Sequence, residues 1–582
     1  MKYRLLLLLV FTTTAYLSAS AQSARTRTNI DFNWRFHLGD INNAQYPSFH
    51  DSHWERLDLP HDFSMEGKYD SSNSRANAFL PGGTCWYRKT IDWNKDWTGK
   101  LVFIQFDGVY MNSRLWINGH FLGERVNGYI GFRFNLTPYL KEGKNILAVR
   151  VDNSKIPSAR WYTGSGIYRH VWLITTDKIH IAHNGTYVRT PETTEHAAGV
   201  LLTAVIDNAS GSRVPVVVTS AIVNKEGKEV AESKLPVLLD TGLNNISDSF
   251  IVQHPSLWSP QHPDMYYVKT VIEAHHRIQD IYTTPFGIRQ LTFSPVSGFK
   301  LNGKPVKFRG VCDHQSISPV GAAVPDDMIH YRLGMLKKMG CNAIRTSHNP
   351  RSPVFYNMCD TMGIMVMDEA FDGWDHTKAK YDYGLYWNKQ LPGGQVEWKK
   401  DLTDFIKRDR NHPCVVIWSQ GNEVWGYEKE LNVQKEIYEV FHTLDSTRPV
   451  TQAWADKKYL DIAGFNANGE QRDDLEKFHQ AHPDMPMIGT EMPHTRQTRG
   501  VYRTMAAFNP WDKPYPWTRS KDSAKKAAAH YPLENLSDHE IFTQYDPRYA
   551  SGYDNQTLNI SIREAYKQVQ RDPFFMGEFR WT

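Results

Sequence analysis

Residues 414–423 read CVVIWSQGNE, and this segment decides how the second half of the chain is interpreted. The run VVIW at 415–418 is continuously β-branched and aromatic, as is typical of a strand buried on both faces in a parallel sheet or barrel. Glu423 follows this strand after a short turn. Taken alone it is weak evidence of catalysis, because such a carboxylate also caps helices or pairs with surface lysines.

A second carboxylate has the same setting. Residues 487–491 read MIGTE, so Glu491 also ends a short apolar strand. Glycosidic cleavage needs two carboxyl groups: one protonates the leaving oxygen, and the other attacks or stabilises the anomeric carbon. Their environments must push their pKa values apart. Asn422, beside the first carboxylate, can donate a hydrogen bond to a sugar 2-hydroxyl. The pair predicts a glycosidase.

Length and composition describe a folded, multidomain protein. With 582 residues, 41% of them hydrophobic and 22% charged, the chain is expected to form three or four domains. The formal net charge of +4 is small and no basic block occurs, so nucleic acid is not expected as a partner.

The N-terminus resembles a secretory signal. Lys2 and Arg4 precede the apolar residues 5–11, and Ala-Ser-Ala at 19–21 precedes Gln22. This pattern predicts a cleaved signal peptide over residues 1–21. The apolar stretch is far shorter than the roughly 20 residues that span a bilayer, and no Cys follows to accept a lipid. We expect a periplasmic or secreted protein without membrane insertion.

The five cysteines are an odd number and form no CxxC pair, which argues against a disulfide framework and a zinc site. Four of them lie beside or within apolar segments and are predicted to be buried thiols: Cys312, Cys341, Cys359 and Cys414.

The first half of the chain alternates short strands and turns. Residues 115–121 read LWINGHF, in which Asn118-Gly119 between apolar flanks predicts a hairpin. Residues 200–206 and 214–222 are further candidate strands. We interpret residues 22–178 as a jelly-roll-like β-sandwich of the sugar-binding kind and residues 179–289 as an immunoglobulin-like β-sandwich.

After residue 289 strands alternate with amphipathic helices. Residues 326–339 predict a helix, with Asp326 and Asp327 at its start and Lys337 and Lys338 near its end. Strand-like runs are centred near Val306, Ala343, Ile364, Val415, Val450, Ile462, Met487 and Phe574. Eight strand and helix units predict a (β/α)8 TIM barrel over residues 290–582, with its active site at the carboxyl ends of the strands.

Other polar residues also fall at strand ends. They are His314, His348, Asp368 and Glu369. Each alone is more often a structural hydrogen bonder, but the barrel brings them to one face. His314, His348 and Glu369 match no compact metal motif, so neither a metal nor a cofactor is expected.

Several motifs together resemble glycoside hydrolase family 2, which contains β-galactosidases, β-glucuronidases and β-mannosidases. The first sandwich contributes GTCWYRK at 83–89 and RWYTGSGIYRHVWL at 160–173. The barrel contributes RGVC at 309–312, NAIRTSHNP at 342–350, MDEAFDGW at 367–374, NHPCVVIWSQGNE at 411–423 and GEFRW at 577–581.

The resemblance implies Glu423 as acid/base, Glu491 as nucleophile and Asn422 as the 2-hydroxyl contact. His314, His348, Glu369 and Trp581 would line the subsite for the non-reducing sugar of an oligosaccharide or polysaccharide. Hydrolysis would retain configuration through a covalent intermediate. The DEAFDGW and RGVC segments favour the β-galactosidase branch, with β-glucuronidase or β-mannosidase as alternatives.

Three segments depart from the family pattern. Where a Tyr commonly holds the nucleophile, residues 465–467 read FNA, so another group must orient Glu491. Met-Pro-His at 492–494 replaces small residues, and 313–316 lacks an expected acidic residue after His314. These departures suggest an unusual galactoside, for example from an algal or host glycan.

The sequence ends one residue after Trp581, directly behind the eighth strand. We therefore expect a barrel cut short after strand eight, either a truncated gene product or a fragment of low stability. A non-catalytic carbohydrate-binding protein is the alternative from another class, although it would not need both glutamates. A homo-oligomer is left open.

Overall fold

The chain forms two β-sandwiches followed by a closed parallel barrel. The computed structural model describes residues 24–424, 428–453, 458–466, 474–493, 567 and 569–581. The predicted signal peptide and His494 lie outside the described residues. The predicted fold class, sandwiches followed by a TIM barrel, is confirmed.

The first sandwich consists of a four-stranded and a six-stranded antiparallel sheet, ordered β1-β10-β5-β8 and β3-β2-β4-β9-β6-β7. Their apolar faces meet in one buried core that includes Trp34, Tyr87 and Phe106. The strands are β1 Thr26–Asn29, β2 Trp34–Leu38, β3 Glu55–Leu57, β4 Gly83–Asp92, β5 Leu101–Phe106, β6 Ser113–Ile117, β7 His120–Arg125, β8 Phe132–Asn135, β9 Lys144–Asn153 and β10 Val171–Thr176.

The predicted hairpin joins β6 to β7. Asn118 and Gly119 form its two-residue turn with φ values of 52° and 84°. Both residues are left-handed, which matches the right-handed twist of the flanking strands and favours this dipeptide. The sequence signal therefore identified this turn correctly.

The second sandwich packs sheet β11-β12-β15 against sheet β14-β13-β16-β17. Alternate residues face inward, since every second residue of β12 is buried and those between are partly exposed. Seven strands in two sheets agree with the predicted immunoglobulin-like sandwich. The strands are β11 Ile179–Thr193, β12 Ala197–Asn208, β13 Val214–Asn224, β14 Glu229–Leu239, β15 Gly242–Gln253, β16 Tyr266–Ala274 and β17 Arg277–Phe286.

A small sheet covers the amino-terminal end of the barrel. It comprises β18 Leu291–Ser294, β19 Gly298–Leu301 and β20 Lys304–Pro305. Phe299 of this sheet stacks on Phe308, the first residue of the barrel, with ring centroids 4.8 Å apart. Apolar side chains thus close the end opposite the strand ends that carry the polar residues.

Eight parallel strands close the barrel, each hydrogen bonded to the next along the chain, and the last pairs with the first through Phe308 and Gly577. They are β21 Phe308–Cys312, β22 Ala343–Arg345, β23 Met365–Glu369, β24 Val415–Ser419, β25 Val450–Ala453, β26 Ile462–Phe465, β27 Met487–Gly489 and β28 Phe575–Arg580. Every residue of β24 is buried, as its apolar run predicts.

Helices pack around the barrel between successive strands. They are α1 Asp326–Lys338, α2 Pro353–Met362, α3 Glu397–Asp409, α4 Glu428–Leu444 and α5 Asp474–Ala481. The helix predicted over 326–339 is α1, with two acidic residues in its first turn and two basic residues in its last. Among the described residues, no helix is long and apolar enough to cross a bilayer.

The cysteine prediction holds only in part. All five cysteines are free, and Cys359 and Cys414 are buried, but Cys312 and Cys341 are partly exposed. Cys312 ends β21 at the open end of the barrel, and Cys341 lies in the turn after α1. Neighbouring apolar residues do not guarantee burial where a strand ends or a turn begins.

Candidate active site

The end of β24 presents Asn422 and Glu423 at the mouth of the barrel. The side chain of Asn422 is buried, whereas Glu423 is partly accessible. Glu423 has a φ of 42°, in the left-handed region that non-glycine residues rarely adopt. Such conformations persist where the surrounding structure imposes them, often at functional sites.

Arg345, the last residue of β22, connects the polar groups of the site. Its buried guanidinium donates to Glu369 at 2.9 Å, to Glu491 at 3.0 Å and to the side-chain oxygen of Asn422 at 2.9 Å. The five donors of an arginine lie in one plane, so a single side chain can hold three acceptors in fixed directions. Arg345 therefore connects the end of its own strand to residues at the ends of three other barrel strands.

Glu369, at the end of β23, is fully buried and ionised. It accepts from the imidazole of His348 at 2.7 Å and from the hydroxyl of Ser419 at 2.6 Å. Burial opposes its ionisation, but the charge of Arg345 and the bond from His348 outweigh burial and lower its pKa. Glu369 consequently orients both Arg345 and His348.

Asn466 connects Glu423 to the residue that precedes Glu491. It donates to Glu423 at 2.9 Å, and its oxygen accepts from the hydroxyl of Thr490 at 2.8 Å. Thr490 directly precedes Glu491. Asn466 lies in the segment where the expected Tyr is absent. The sequence required another group to hold Glu491, and the structure shows Arg345 in contact with its carboxylate.

Asp372, in the loop after β23, is a second residue that contacts several polar groups of the site. Its carboxylate accepts from Asn422 at 3.1 Å and from Arg160 at 2.6 Å, and Lys378 lies 3.4 Å away. Lys378 also donates to the backbone carbonyl of Asn422. Burial opposes ionisation of Asp372, but the charges of Lys378 and Arg160 hold its pKa well below the usual range. Arg160 belongs to the first sandwich, which therefore reaches the site.

Aromatic rings form one wall of the site. His348 stacks on Trp581 at 5.3 Å between centroids, and His314 lies 5.4 Å from Trp581 and 4.9 Å from Trp161. Burial and the nearby His348 lower the pKa of His314 well below its ordinary value, so its ring is neutral near pH 7. Its Nδ1 has no hydrogen-bond partner among the described residues.

All seven predicted site residues lie in this one region. Direct contacts connect Asn422, His348, Glu369 and Glu491 through Arg345, and Glu423 joins through Asn466. His314 and Trp581 join through ring contacts with His348. The structure thus brings all seven side chains to the open end of the barrel.

Sequence reasoning missed several residues that complete the site. They are Arg160, Trp161, Arg345, Asp372, Lys378 and Asn466. All except Lys378 lie in segments quoted above, so their motifs were visible. Position along the chain did not show that Arg345 would meet acceptors from three other strand ends, or that Arg160 would cross from another domain.

One group of potential metal ligands occurs among the described residues, and it lies elsewhere. Asp360, His412 and Cys414 cluster before β24, at the end of the barrel opposite Glu423. The carboxylate of Asp360 already accepts from His412 at 2.5 Å and from the backbone N–H of Cys414 at 3.0 Å. Burial raises the pKa of the Cys414 thiol well above its usual value. This arrangement fits a structural hydrogen-bond cluster.

Family models match most of the chain. Residues 24–177 match the sugar binding domain of glycosyl hydrolases family 2, residues 179–289 match a further domain of that family, and residues 296–509 match its TIM barrel domain.

Individual relatives agree with these matches. A β-galactosidase of Bacteroides ovatus is 38% identical over 97% of this chain and 68% of its own length. A putative β-glucuronidase of Formosa agariphila is 37% identical over 96% of this chain and 52% of its own length. The chain thus spans between about half and two thirds of these relatives.

The structure of a β-glycosidase from Bacteroides vulgatus superposes with a TM-score of 0.85 and is 45% identical, covering 96% of this chain and 70% of that one. Both sandwiches and the barrel therefore have counterparts in one family of enzymes, and the chain belongs to glycosyl hydrolase family 2.

Proposed function

We propose that this protein is a retaining, exo-acting glycosidase that removes a non-reducing terminal β-linked sugar, with β-galactosides as the preferred substrates. Glu491 is the nucleophile and Glu423 the acid/base. The observation that carries the proposal is the convergence of these two glutamates, which follow separate strands, at the open end of the barrel, where Asn466 donates to Glu423 and accepts from Thr490, the residue before Glu491.

The reaction takes place in two displacements. A carboxylate oxygen of Glu491 attacks the anomeric carbon while the glycosidic C–O bond breaks and Glu423 transfers its proton to the leaving oxygen. The resulting glycosyl ester is then hydrolysed by water, which gives its proton to Glu423, and Glu491 is released as carboxylate. Substrate and product share the same anomeric configuration.

The contacts of the two glutamates differ. The cationic guanidinium of Arg345 lies 3.0 Å from Glu491 and favours the ionised carboxylate that a nucleophile needs. Glu423 accepts a hydrogen bond from the neutral amide of Asn466 at 2.9 Å. The proposed mechanism requires Glu423 to carry the transferable proton before the first step.

The remaining groups bind the sugar. Asn422 is held by Arg345 on its oxygen and by Asp372 on its nitrogen, so its orientation is set before substrate arrives. His314 offers an Nδ1 that no described residue engages. Trp581, stacked beside His348, provides an apolar ring at the same wall. We assign these residues with Glu369 to the non-reducing sugar subsite.

Two observations bear on the choice of sugar. The relative from Bacteroides ovatus is named a β-galactosidase, which supports the first choice. A β-glucuronide is the second candidate, because two cations, Arg160 and Lys378, lie at the carboxylate of Asp372 beside Asn422. The relative from Formosa agariphila is named a putative β-glucuronidase.

A substrate panel tests the proposal. Nitrophenyl β-galactoside, β-glucuronide and β-mannoside are offered to the protein, to Glu491→Gln and to Glu423→Gln, with Glu195→Gln, an exposed residue of the second sandwich, as matched control. Turnover of the galactoside that both site variants lose and the control keeps supports the proposal. Absence of turnover on every substrate would leave the non-catalytic carbohydrate-binding alternative.

The same protein is proposed to act outside the cytoplasm on oligosaccharides or polysaccharides, after removal of residues 1–21. The support is the charged, apolar and small-residue pattern of those residues. Mass spectrometry of the N-terminus after expression in a bacterium with a periplasm tests it. A mature chain that begins at Gln22 is expected, and a retained Met1 would contradict it.

A further inference from the structure

A separate cavity lies between the first sandwich and the barrel. Arg169 and His170 line it from the sandwich, and Asp313, Gln315, Arg332 and Arg351 line it from the barrel. None of the described residues assigned above to the active site belongs to its lining. Its volume is about 50 Å³. Since a single water molecule needs a cavity of only about 10–15 Å³, there is room for a small ion.

Arg351 is the least satisfied cation in this wall. Its residue is only 4% exposed, its nearest carboxylate oxygen is 3.5 Å away on Asp313, and its donor contact with the carbonyl of Ser347 is 3.3 Å long. Its Nε has no hydrogen-bond partner among the described residues. A buried charge with such weak pairing is unfavourable unless another group compensates it.

Arg169 adds a second buried guanidinium. It donates to backbone carbonyls, including those of Tyr129 at 2.6 Å and Pro350 at 2.9 Å, and to the side-chain oxygen of Gln315 at 3.0 Å. Within the described chain no carboxylate lies within ion-pair distance of it. Burial lowers the pKa of both Arg169 and Arg351, and the positive charge of Arg169 lowers the pKa of Arg351 further.

The carboxylates around the cavity are already paired with other cations. Asp313 accepts from Arg332 at 2.7 Å. His170 is held between Asp31 at 2.6 Å and Asp326 at 3.1 Å, and these bonds raise its pKa to about 10, so it is charged at neutral pH. Arg351 therefore shares the single carboxylate of Asp313 with Arg332, and Arg169 adds a further positive charge to the same wall.

We infer that this cavity binds a small oxyanion, of the size of phosphate, sulfate or acetate, which accepts from the Nε–H of Arg351 and balances the charge of Arg169. This cavity also adjoins the segment that carries His314, a residue of the proposed active site. Asp313 and Gln315 flank His314 in the chain and each contacts an arginine of the cavity. An anion at this place would steady the segment that presents His314.

Thermal unfolding of the full chain tests the inference without reference to catalysis. Sodium phosphate, sulfate and acetate are compared with chloride at constant ionic strength, for the protein, for Arg351→Gln and for Arg213→Gln, an exposed arginine of the second sandwich. We expect the unfolding midpoint to rise by a few degrees and to saturate with at least one oxyanion. Arg213→Gln should keep this response and Arg351→Gln should lose it.

The shape of the response separates binding from general salt effects. Excluded anions such as sulfate and phosphate stabilise proteins in proportion to concentration, without saturation. A linear response that is equal in all three proteins would overturn the inference. Saturation by phosphate and sulfate identifies a tetrahedral anion, and saturation by acetate alone identifies a carboxylate.

Crystals soaked in selenate give a second readout if Arg351→Gln does not fold. Anomalous scattering of selenium within hydrogen-bond distance of Arg351 Nε would support the site. Ordered water alone at that position in the selenate crystals, together with no saturating response, would refute it.

Discussion

The guanidinium of Arg345 lies 3.0 Å from the carboxylate of Glu491 and is itself fully buried. The same side chain donates to Glu369 and Asn422, so the proposed nucleophile and two proposed sugar-binding residues contact one positively charged group. Residues 465–467 lack the Tyr that the family resemblance led us to expect, and Arg345, at the end of the second barrel strand, contacts Glu491.

Replacing Arg345 is expected to affect both activity and stability. Arg345→Gln leaves two buried carboxylates without their counter-charge, and breaking a buried pair typically costs about 3–5 kcal/mol. We expect kcat to fall by roughly a hundredfold or more, measured on nitrophenyl β-galactoside beside urea unfolding. Arg309→Gln, an exposed arginine in β21, is the control. Unchanged stability would mean that Arg345 is not the support described here.

Substituting the two glutamates should give different kinetics. Glu491→Gln removes the attacking oxygen, so turnover should fall at least about a thousandfold with every leaving group. Glu423→Gln removes the proton donor and the later base, so glycosides with good leaving groups should still react in the first step and show a burst of nitrophenol. If stopped-flow measurements showed no difference between the two variants, the assignment of Glu491 as nucleophile and Glu423 as acid/base would be wrong.

Asn466 should matter for catalysis more than for folding. Asn466→Ala removes the bond to the Glu423 carboxylate and the acceptor for the hydroxyl of Thr490, the residue before Glu491. We expect kcat/KM to fall by about tenfold to a hundredfold, since small misplacements of reacting groups are costly. Asn466→Gln, which keeps the amide, should recover part of the loss only if the longer side chain still reaches Glu423. Wild-type kinetics in the Ala variant would contradict this role.

Arg160 tests the contribution of the first sandwich to sugar choice. Arg160→Gln removes one of the two cations at Asp372, beside Asn422. We expect kcat/KM for a β-glucuronide to fall more than that for a β-galactoside, by about tenfold. Equal losses on both substrates would show that Arg160 only positions Asp372. Arg114→Gln, an exposed arginine of the same sandwich, is the control.

His170 should make the stability of the protein depend on alkaline pH. Its hydrogen bonds to Asp31 and Asp326 raise its pKa to about 10 from an ordinary value of 6.5. Because the folded-state pKa is the higher one, the stabilisation is complete below about pH 6.5 and is lost as pH rises towards 10. With the side chain 19% exposed, its size should be on the order of 2–3 kcal/mol.

The measurement is the free energy of unfolding at pH 6, 8 and 10. His170→Gln should be less stable than the protein at pH 6 and should lose less stability between pH 6 and pH 10. His50→Gln, an exposed histidine of the same sandwich, should behave as the unaltered protein. Parallel pH profiles for all three would exclude the proposed pairing.

Local patterns in the sequence were enough to predict the architecture. The buried run before Glu423 is a barrel strand, the turn at Asn118 and Gly119 is a hairpin, and the helix starting at Asp326 is present. These features depend on periodicity and turn chemistry, which act over a few residues. The two glutamates were also identified at strand ends, because a parallel barrel brings all such ends to one face.

Only the tertiary structure showed what holds those glutamates. Arg345 is one residue in a short strand, and its partners lie 24, 77 and 146 positions away in the chain. Arg160 and Asp372 come from different domains. Hydrogen bonds and ion pairs act over a few ångströms in space, and only the closed barrel and the docked sandwich determine which polar groups come that close.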